Sequence, residues 1–118
     1  MESEEKKISV SVAMGVYNPE DISTLKQAVD SVLSQTLCEW ELIIYDDGSR
    51  ADLAEELKRI AEQDGRIRLL RGEENRGLAH ALNMCIREAK GEYIARMDAD
   101  DVSAPDRFLE QKKFLDTH

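Results

Sequence analysis

A chain of 118 residues, 42% hydrophobic and 35% charged, has room for one ordinary core and too much apolar content for a disordered segment. Its formal net charge of -9 argues against nucleic acid and anionic membrane surfaces as partners. No apolar run approaches the roughly 20 residues of a membrane span, and the polar stretch 1–7 is read as an extension rather than a secretory leader.

Strand and helix alternate along the chain. Ile8 to Met14 is the first expected strand, with Ile8, Val10, Val12 and Met14 on one face and small residues on the other. Asn18-Pro19 interrupts it, and Asp21 to Leu33 follows as a helix with an apolar stripe at Ile22, Leu25, Val29, Val32 and Leu33. Trp40 to Tyr45 is the second strand; its unbroken Leu42-Ile43-Ile44 suits a strand covered on both faces. Ser49 and Asp52 form a capping-box-like start to a second helix, running to Gln63 with Gly65 as a left-handed close. Ile67 to Leu70 is a short third strand. Asn75 is the expected cap of a third helix, with Leu78, Ala81, Leu82, Cys85, Ile86 and Ala89 inward and Gly91 closing it as Gly65 does. Glu92 to Met97 is the fourth strand, and a last helix begins around Pro105 and carries Phe108, Leu109 and Leu115. This alternation predicts an α/β fold with a Rossmann-like, doubly wound, mainly parallel sheet. Cys38 and Cys85 lie far apart without a paired spacing or a histidine cluster, so they are expected to be reduced, buried thiols in a cytoplasmic protein.

Ligands of doubly wound sheets bind beyond the carboxyl ends of the strands. Three polar clusters fall there: Gly15-Val16-Tyr17-Asn18, Asp46-Asp47-Gly48-Ser49 and Asp98-Ala99-Asp100-Asp101. The last is the most informative. Crowded carboxylates repel one another, and a hard cation relieves them. In extended backbone Asp98 and Asp100 face one site together. Mg²⁺ or Mn²⁺ held by one or two carboxylates keeps positions open for phosphate oxygens, so a metal–diphosphate site is the expectation. The plain alternative is an acidic loop ahead of a helix.

Four stretches resemble the family 2 glycosyltransferases. They are Ser9 to Asn18, Glu41 to Ser49, Asn75 to Ala79, and Ala89 through Asp101 with Pro105-Asp106-Arg107-Phe108. The resemblance covers nearly the whole chain from Ile8. It implies that residues 8–118 are the nucleotide-sugar-binding half of a GT-A fold, with a UDP-type sugar as donor and a divalent cation, Mn²⁺ or Mg²⁺, as cofactor. It places Asp46 and Asp47 at the nucleobase, with Asp47 accepting from a base N–H. It places Tyr17 and Asn18 in the nucleotide-sugar site, with Tyr17 stacking on or flanking the base, and Arg76 approaching the diphosphate. Asp98 lies near ribose and donor sugar as well as the metal, and Asp100 ligates the metal. For Tyr17 the competing reading is packing at a helix start; for Arg76 it is a solvated residue.

Two departures stand out. Gly15 occupies a position where the family usually has proline, which loosens a turn. The acceptor half and catalytic base are expected beyond His118, so no catalytic residue is assigned here. The resemblance implies inverting transfer of a sugar in an intact enzyme, and a fragment inactive alone. The alternative function is a non-catalytic nucleotide-binding or oligomeric module, with a weak homodimer through the exposed fourth strand. A phosphoacceptor receiver domain fits poorly: its acidic pair follows the first strand, whereas here the pair follows the second.

Overall fold

The structure, a computed structural model, describes residues 7–117, so most of the expected polar extension lies outside the described residues. The elements run β1 (Val10–Val16), α1 (Ile22–Leu33), β2 (Trp40–Asp47), α2 (Ala51–Ala61), β3 (Ile67–Gly72), α3 (Leu78–Glu88), β4 (Tyr93–Arg96) and α4 (Arg107–Thr117). The strands form one sheet in the order β3-β2-β1-β4, and every neighbouring pair is parallel. The α/β, doubly wound architecture read from the sequence is the observed one.

Alternation in β1 divides the core. Val10, Val12, Met14 and Val16 join Leu42 and Ile44 of β2 against Leu25, Val29 and Val32 of α1, Leu57 and Ile60 of α2, and Phe108 of α4. On the other face Ala13, Ile43 and Tyr45 pack on Ala81 and Cys85 of α3. Gly15 is not in a turn. It lies inside β1, where a Cβ would stand 2.9 Å from Leu78 Cδ1 and 3.1 Å from Ala81 Cβ. Its missing side chain is what lets α3 settle on the sheet.

Several local expectations are corrected. Ser49 makes no capping box: Arg50 holds the N-cap of α2 without a side-chain cap bond. Gly77, not Asn75, caps α3, although Asn75 Oδ1 accepts from the Gly77 N–H at 3.0 Å. Gly65 and Gly91 are not left-handed; among the described glycines only Gly48 and Gly77 have positive φ. Gly91 answers to close approach instead, since a Cβ there would lie 2.8 Å from Ser11 Oγ. Leu78 and Ile86 are 47% and 49% exposed rather than inward, because α3 lies across β1 and β2 and presents a flank to solvent. Leu115 is exposed too. Cys85 is buried, and burial pushes its thiol pKa up, but Cys38 is exposed.

One buried charge at the amino-terminal side of the sheet was not foreseen. Glu41 takes Ser11 Oγ–H and Lys90 N–H on Oε2, both at 2.7 Å, and Arg68 Nη1 on Oε1 at 3.2 Å. Burial pushes its carboxyl up, yet the Lys90 N–H, the Ser11 hydroxyl and Arg68 outweigh burial and hold it below its ordinary 4.5. A depressed carboxyl stabilises the fold above that ordinary value and loses its contribution as pH falls through the lowered one. Glu41→Gln turns an amide donor towards either Arg68 or the Ser11 and Lys90 donors. It is expected to lose about 1.5–3 kcal/mol at neutral pH. The loss should shrink on acidification below pH 4.5, as urea unfolding at neutral and acid pH will show.

Candidate functional site

The carboxyl edge of the sheet gathers all three polar clusters. The register sets Val16 of β1 beside Asp46 of β2, so Tyr17 and Asp47 leave the sheet as neighbours. On the other side Arg96 pairs with Ala13, and the Met97 N–H still donates to Ala13 O at 3.0 Å before the chain turns out through Asp98.

Asp46 and Asp47 are both buried, at 1% and 3% exposure. Such carboxylates persist only if their oxygens are engaged. Asp46 Oδ1 accepts the Ser49 N–H at 2.9 Å and closes the Asp46–Ser49 turn; its Oδ2 stands 3.9 Å from Arg71 Nη1. At Gly48, φ is 83° and a Cβ would meet Glu74 C at 2.8 Å, so only glycine allows this turn to touch the loop before α3. Asp47 accepts from that same loop: the Gly77 N–H at 2.8 Å and the Arg76 N–H at 3.1 and 3.2 Å to its two oxygens. These are the donors a helix start leaves unpaired.

Asn18, at φ 38°, joins the first loop to the second. Its N–H donates to Ser49 Oγ and its Oδ1 accepts the Arg50 N–H, both at 2.8 Å. Tyr17 stays 49% exposed. With Asp47, Asn75 and Gly77 it lines a cleft of about 200 Å³ between β1 and the start of α3. The Arg76 guanidinium lies at the surface, where its Nε donates to Glu74 at 3.2 Å.

The third cluster differs in kind. Asp98, Asp100 and Asp101 are all exposed, and each brings a carboxylate oxygen to within 4.8 Å of the others. The Asp101 N–H donates to Asp98 O at 3.0 Å, and Asp101 Oδ2 accepts the Asp98 N–H at 3.1 Å, which folds the loop on itself. Arg96 Nη2 lies 3.4 Å from Asp98 Oδ1. Three hard oxygen donors so close, with Arg96 the one cation paired to them among the described residues, match the ligand preference of Mg²⁺ or Mn²⁺. Asp100 also borders a cavity of about 360 Å³ with Pro19, Glu20 and Asp21.

A family model described as glycosyl transferase family 2 matches residues 11–118. The chain belongs to that family. Among curated relatives, the Bacillus subtilis (strain 168) protein EpsE, which carries a glycosyltransferase name, is 44% identical over 110 residues, covering 92% of this chain and 39% of EpsE. The bifunctional glycosyltransferase pgtA of Dictyostelium discoideum is 41% identical over 106 residues, covering 86% of this chain and 14% of pgtA. The chain thus spans well under half of each relative. Among solved structures, S. aureus TarS 1–349 in complex with UDP superposes with a TM-score of 0.81 at 22% identity, over 94% of this chain and 33% of that one. The mannosyltransferase PcManGT from Pyrobaculum calidifontis, in complex with GDP-Man and Mn²⁺, gives 0.69 at 28% identity, over 80% of this chain and 28% of its own. The GT-A fold expected from the resemblance is therefore the fold of this chain.

Sequence reasoning did not find Arg71. It ended β3 at Leu70, whereas the strand runs to Gly72 and delivers Arg71 to the same edge, where Nη2 donates to Ser49 O at 3.2 Å. The basic residue just past an apolar run was the available signal. Buried and exposed carboxylates here should answer differently to removal. Asp47→Ala strands the Arg76 N–H and leaves the Gly77 N–H with Asn75 Oδ1 alone, and is expected to cost about 1–3 kcal/mol. Asp100→Ala relieves repulsion and is expected to shift stability by less than about 0.5 kcal/mol. Urea unfolding of both variants at neutral pH checks the contrast.

Proposed function

We propose that this chain forms the donor-binding half of an inverting, metal-dependent glycosyltransferase that takes its sugar from a nucleoside diphosphate carrier of the UDP type. The observation that carries the proposal is the convergence of two buried carboxylates, an exposed tyrosine and an exposed three-carboxylate loop on one sheet edge. Family membership supports it. So do nucleotide complexes in the same fold, TarS with UDP and PcManGT with GDP-Man and Mn²⁺.

In this reading Tyr17 offers a face for the base in the cleft it shares with Asp47. The Asp47 carboxylate has about four lone-pair positions, so the Arg76 and Gly77 N–H groups leave room for one base N–H. Asp46 and Asn18 hold the two loops that form the cleft walls. Arg76, on a long exposed stem, is placed to swing from Glu74 to a phosphate. Asp100 and Asp98 are the residues to hold Mn²⁺ or Mg²⁺, with Asp101 shaping their loop. Such an ion supplies charge neutralisation to a departing diphosphate. The chain covers 39% of EpsE and 33% of TarS 1–349, and no residue in it is assigned to deprotonating the acceptor hydroxyl, so this stretch by itself is expected to bind donor without transferring sugar.

Calorimetry with UDP and GDP, each with and without Mn²⁺, tests the reading. UDP is expected to bind more tightly with the ion, Asp100→Ala to remove that increment, and Asp47→Asn to weaken UDP by about 1.5–3 kcal/mol. Equal UDP affinity with and without Mn²⁺ in wild type overturns the metal role; unchanged affinity in Asp47→Asn overturns the base contact.

A second reading, association through β4, has its own observation. β4 is an edge strand, and beside it Ile94, Phe114 and Leu115 are 46%, 59% and 44% exposed. A weak homodimer is expected, opposed by the net charge of -9. Sedimentation at rising concentration should show it, and Ile94→Lys should abolish it.

A further inference from the structure

The three exposed carboxylates repel one another, and the Asp101–Asp98 bonds that fold their loop do not fix its two ends to the rest of the fold. The structure assigns that task to Arg107, which we infer to be the positioning residue for the Asp98–Asp101 carboxylates; the inference rests on the donor-site reading above. Arg107 opens α4. Its Nη2 donates to Arg96 O at 3.0 Å and its Nη1 to Ser103 Oγ at 2.9 Å. Arg96 is the last residue of β4, before the acidic loop, and Ser103 follows the loop. One planar guanidinium therefore closes both mouths of the segment 97–102. Only a rigid fork with several donors can do this from one side chain.

Each end it grips is itself fixed. Arg96 sits in register with Ala13 of the central strand. The far end is bound to α1. The Ser103 N–H donates to Ser31 Oγ at 3.0 Å, Gln35 Nε2 donates to Ala104 O at 2.7 Å, and Gln35 Oε1 accepts the Phe108 N–H at 3.0 Å. Ser31, Gln35 and Ser103 are all buried. The guanidinium also lies over the Phe108 ring, 5.6 Å from its centroid, and that ring is fully buried in the core. Arg107 thus transmits the position of the sheet and of α1 to a loop whose three carboxylates are exposed. Closing a loop at its ends removes conformations that the carboxylates must otherwise give up on meeting a cation.

The test uses the 118-residue chain with Mn²⁺ alone, read by electron paramagnetic resonance of the free ion, together with amide hydrogen exchange. Arg107→Gln is expected to weaken Mn²⁺ about tenfold, as loss of an outer support does at metal sites. Exchange at the Asp98 and Asp101 amides should quicken, while metal-free UDP affinity stays unchanged. Arg107→Lys keeps the charge without the fork and should recover only part of both effects. Should Arg107→Gln fail to fold, Ser103→Ala removes one arm of the grip and should give a smaller change in the same two readouts. Unchanged Mn²⁺ affinity and unchanged exchange at Asp98 and Asp101 in a folded variant overturn the inference. If wild type itself binds no Mn²⁺, the metal reading falls, and the exchange at Asp98 and Asp101 alone decides the role of Arg107.

Discussion

A single buried carboxylate ties the carboxyl edge together. Asp47 ends β2, and its two oxygens take the backbone N–H groups of Arg76 and Gly77 at the threshold of α3. Without it a buried turn and a helix start would face each other with donors unmet. The rest of the edge follows from that tie. Asp46 closes the turn onto Ser49, Ser49 receives Asn18, and Asn18 brings in the loop that carries Tyr17. Gly48 permits the close packing of the turn against Glu74. The cleft of about 200 Å³ is the space this chain of bonds leaves open.

The edge holds its acidic groups in two states, and the contrast shows how each can serve. Asp46 and Asp47 are buried and occupied by backbone donors, so they are rigid and carry little freedom to meet a cation. Asp98, Asp100 and Asp101 are exposed and close together, and among the described residues Asp98 is paired with Arg96. The first pair builds shape. The second group is a concentration of exposed charge, and exposure to water is what makes such crowding tolerable. Opposite them, at the amino-terminal side, Glu41 is buried for structure alone, with Ser11, Lys90 and Arg68 as its partners.

Much of the fold was legible in the residues. Long apolar runs such as Leu42-Ile43-Ile44 have one reading in a sheet covered on both sides, and the observed burial of β2 from end to end agrees. The stripe Leu25, Val29 and Val32 could only face a core. What was not legible depends on partners distant in sequence. Nothing near Glu41 announces that Lys90 will supply its N–H. Gly65 and Gly91 follow helices but are not left-handed, because α2 closes through Glu62 at φ −75° and Gly91 is shaped by Ser11. Leu78 and Ile86 fit the helical period, yet one helix on this face of the sheet cannot cover its own flank. For the site, the positions of the acidic clusters were readable from strand ends; the use of Asp47 as a clamp on a neighbouring loop was not.

The pairing of β1 has a consequence for the order of assembly. Val10 pairs with Trp40 on one side and with Tyr93 on the other. The first partner lies about one crossover away; the second is separated by most of the chain. Closing the longer loop costs more entropy and returns only a four-residue strand. β4 should therefore join last, after β1, β2 and β3 have formed a nucleus. During synthesis Asp46 and Asp47 are in place before Asp98, Asp100 and Asp101 have docked. A nascent chain thus passes through a stage with a shaped cleft and no acidic cluster yet docked beside it.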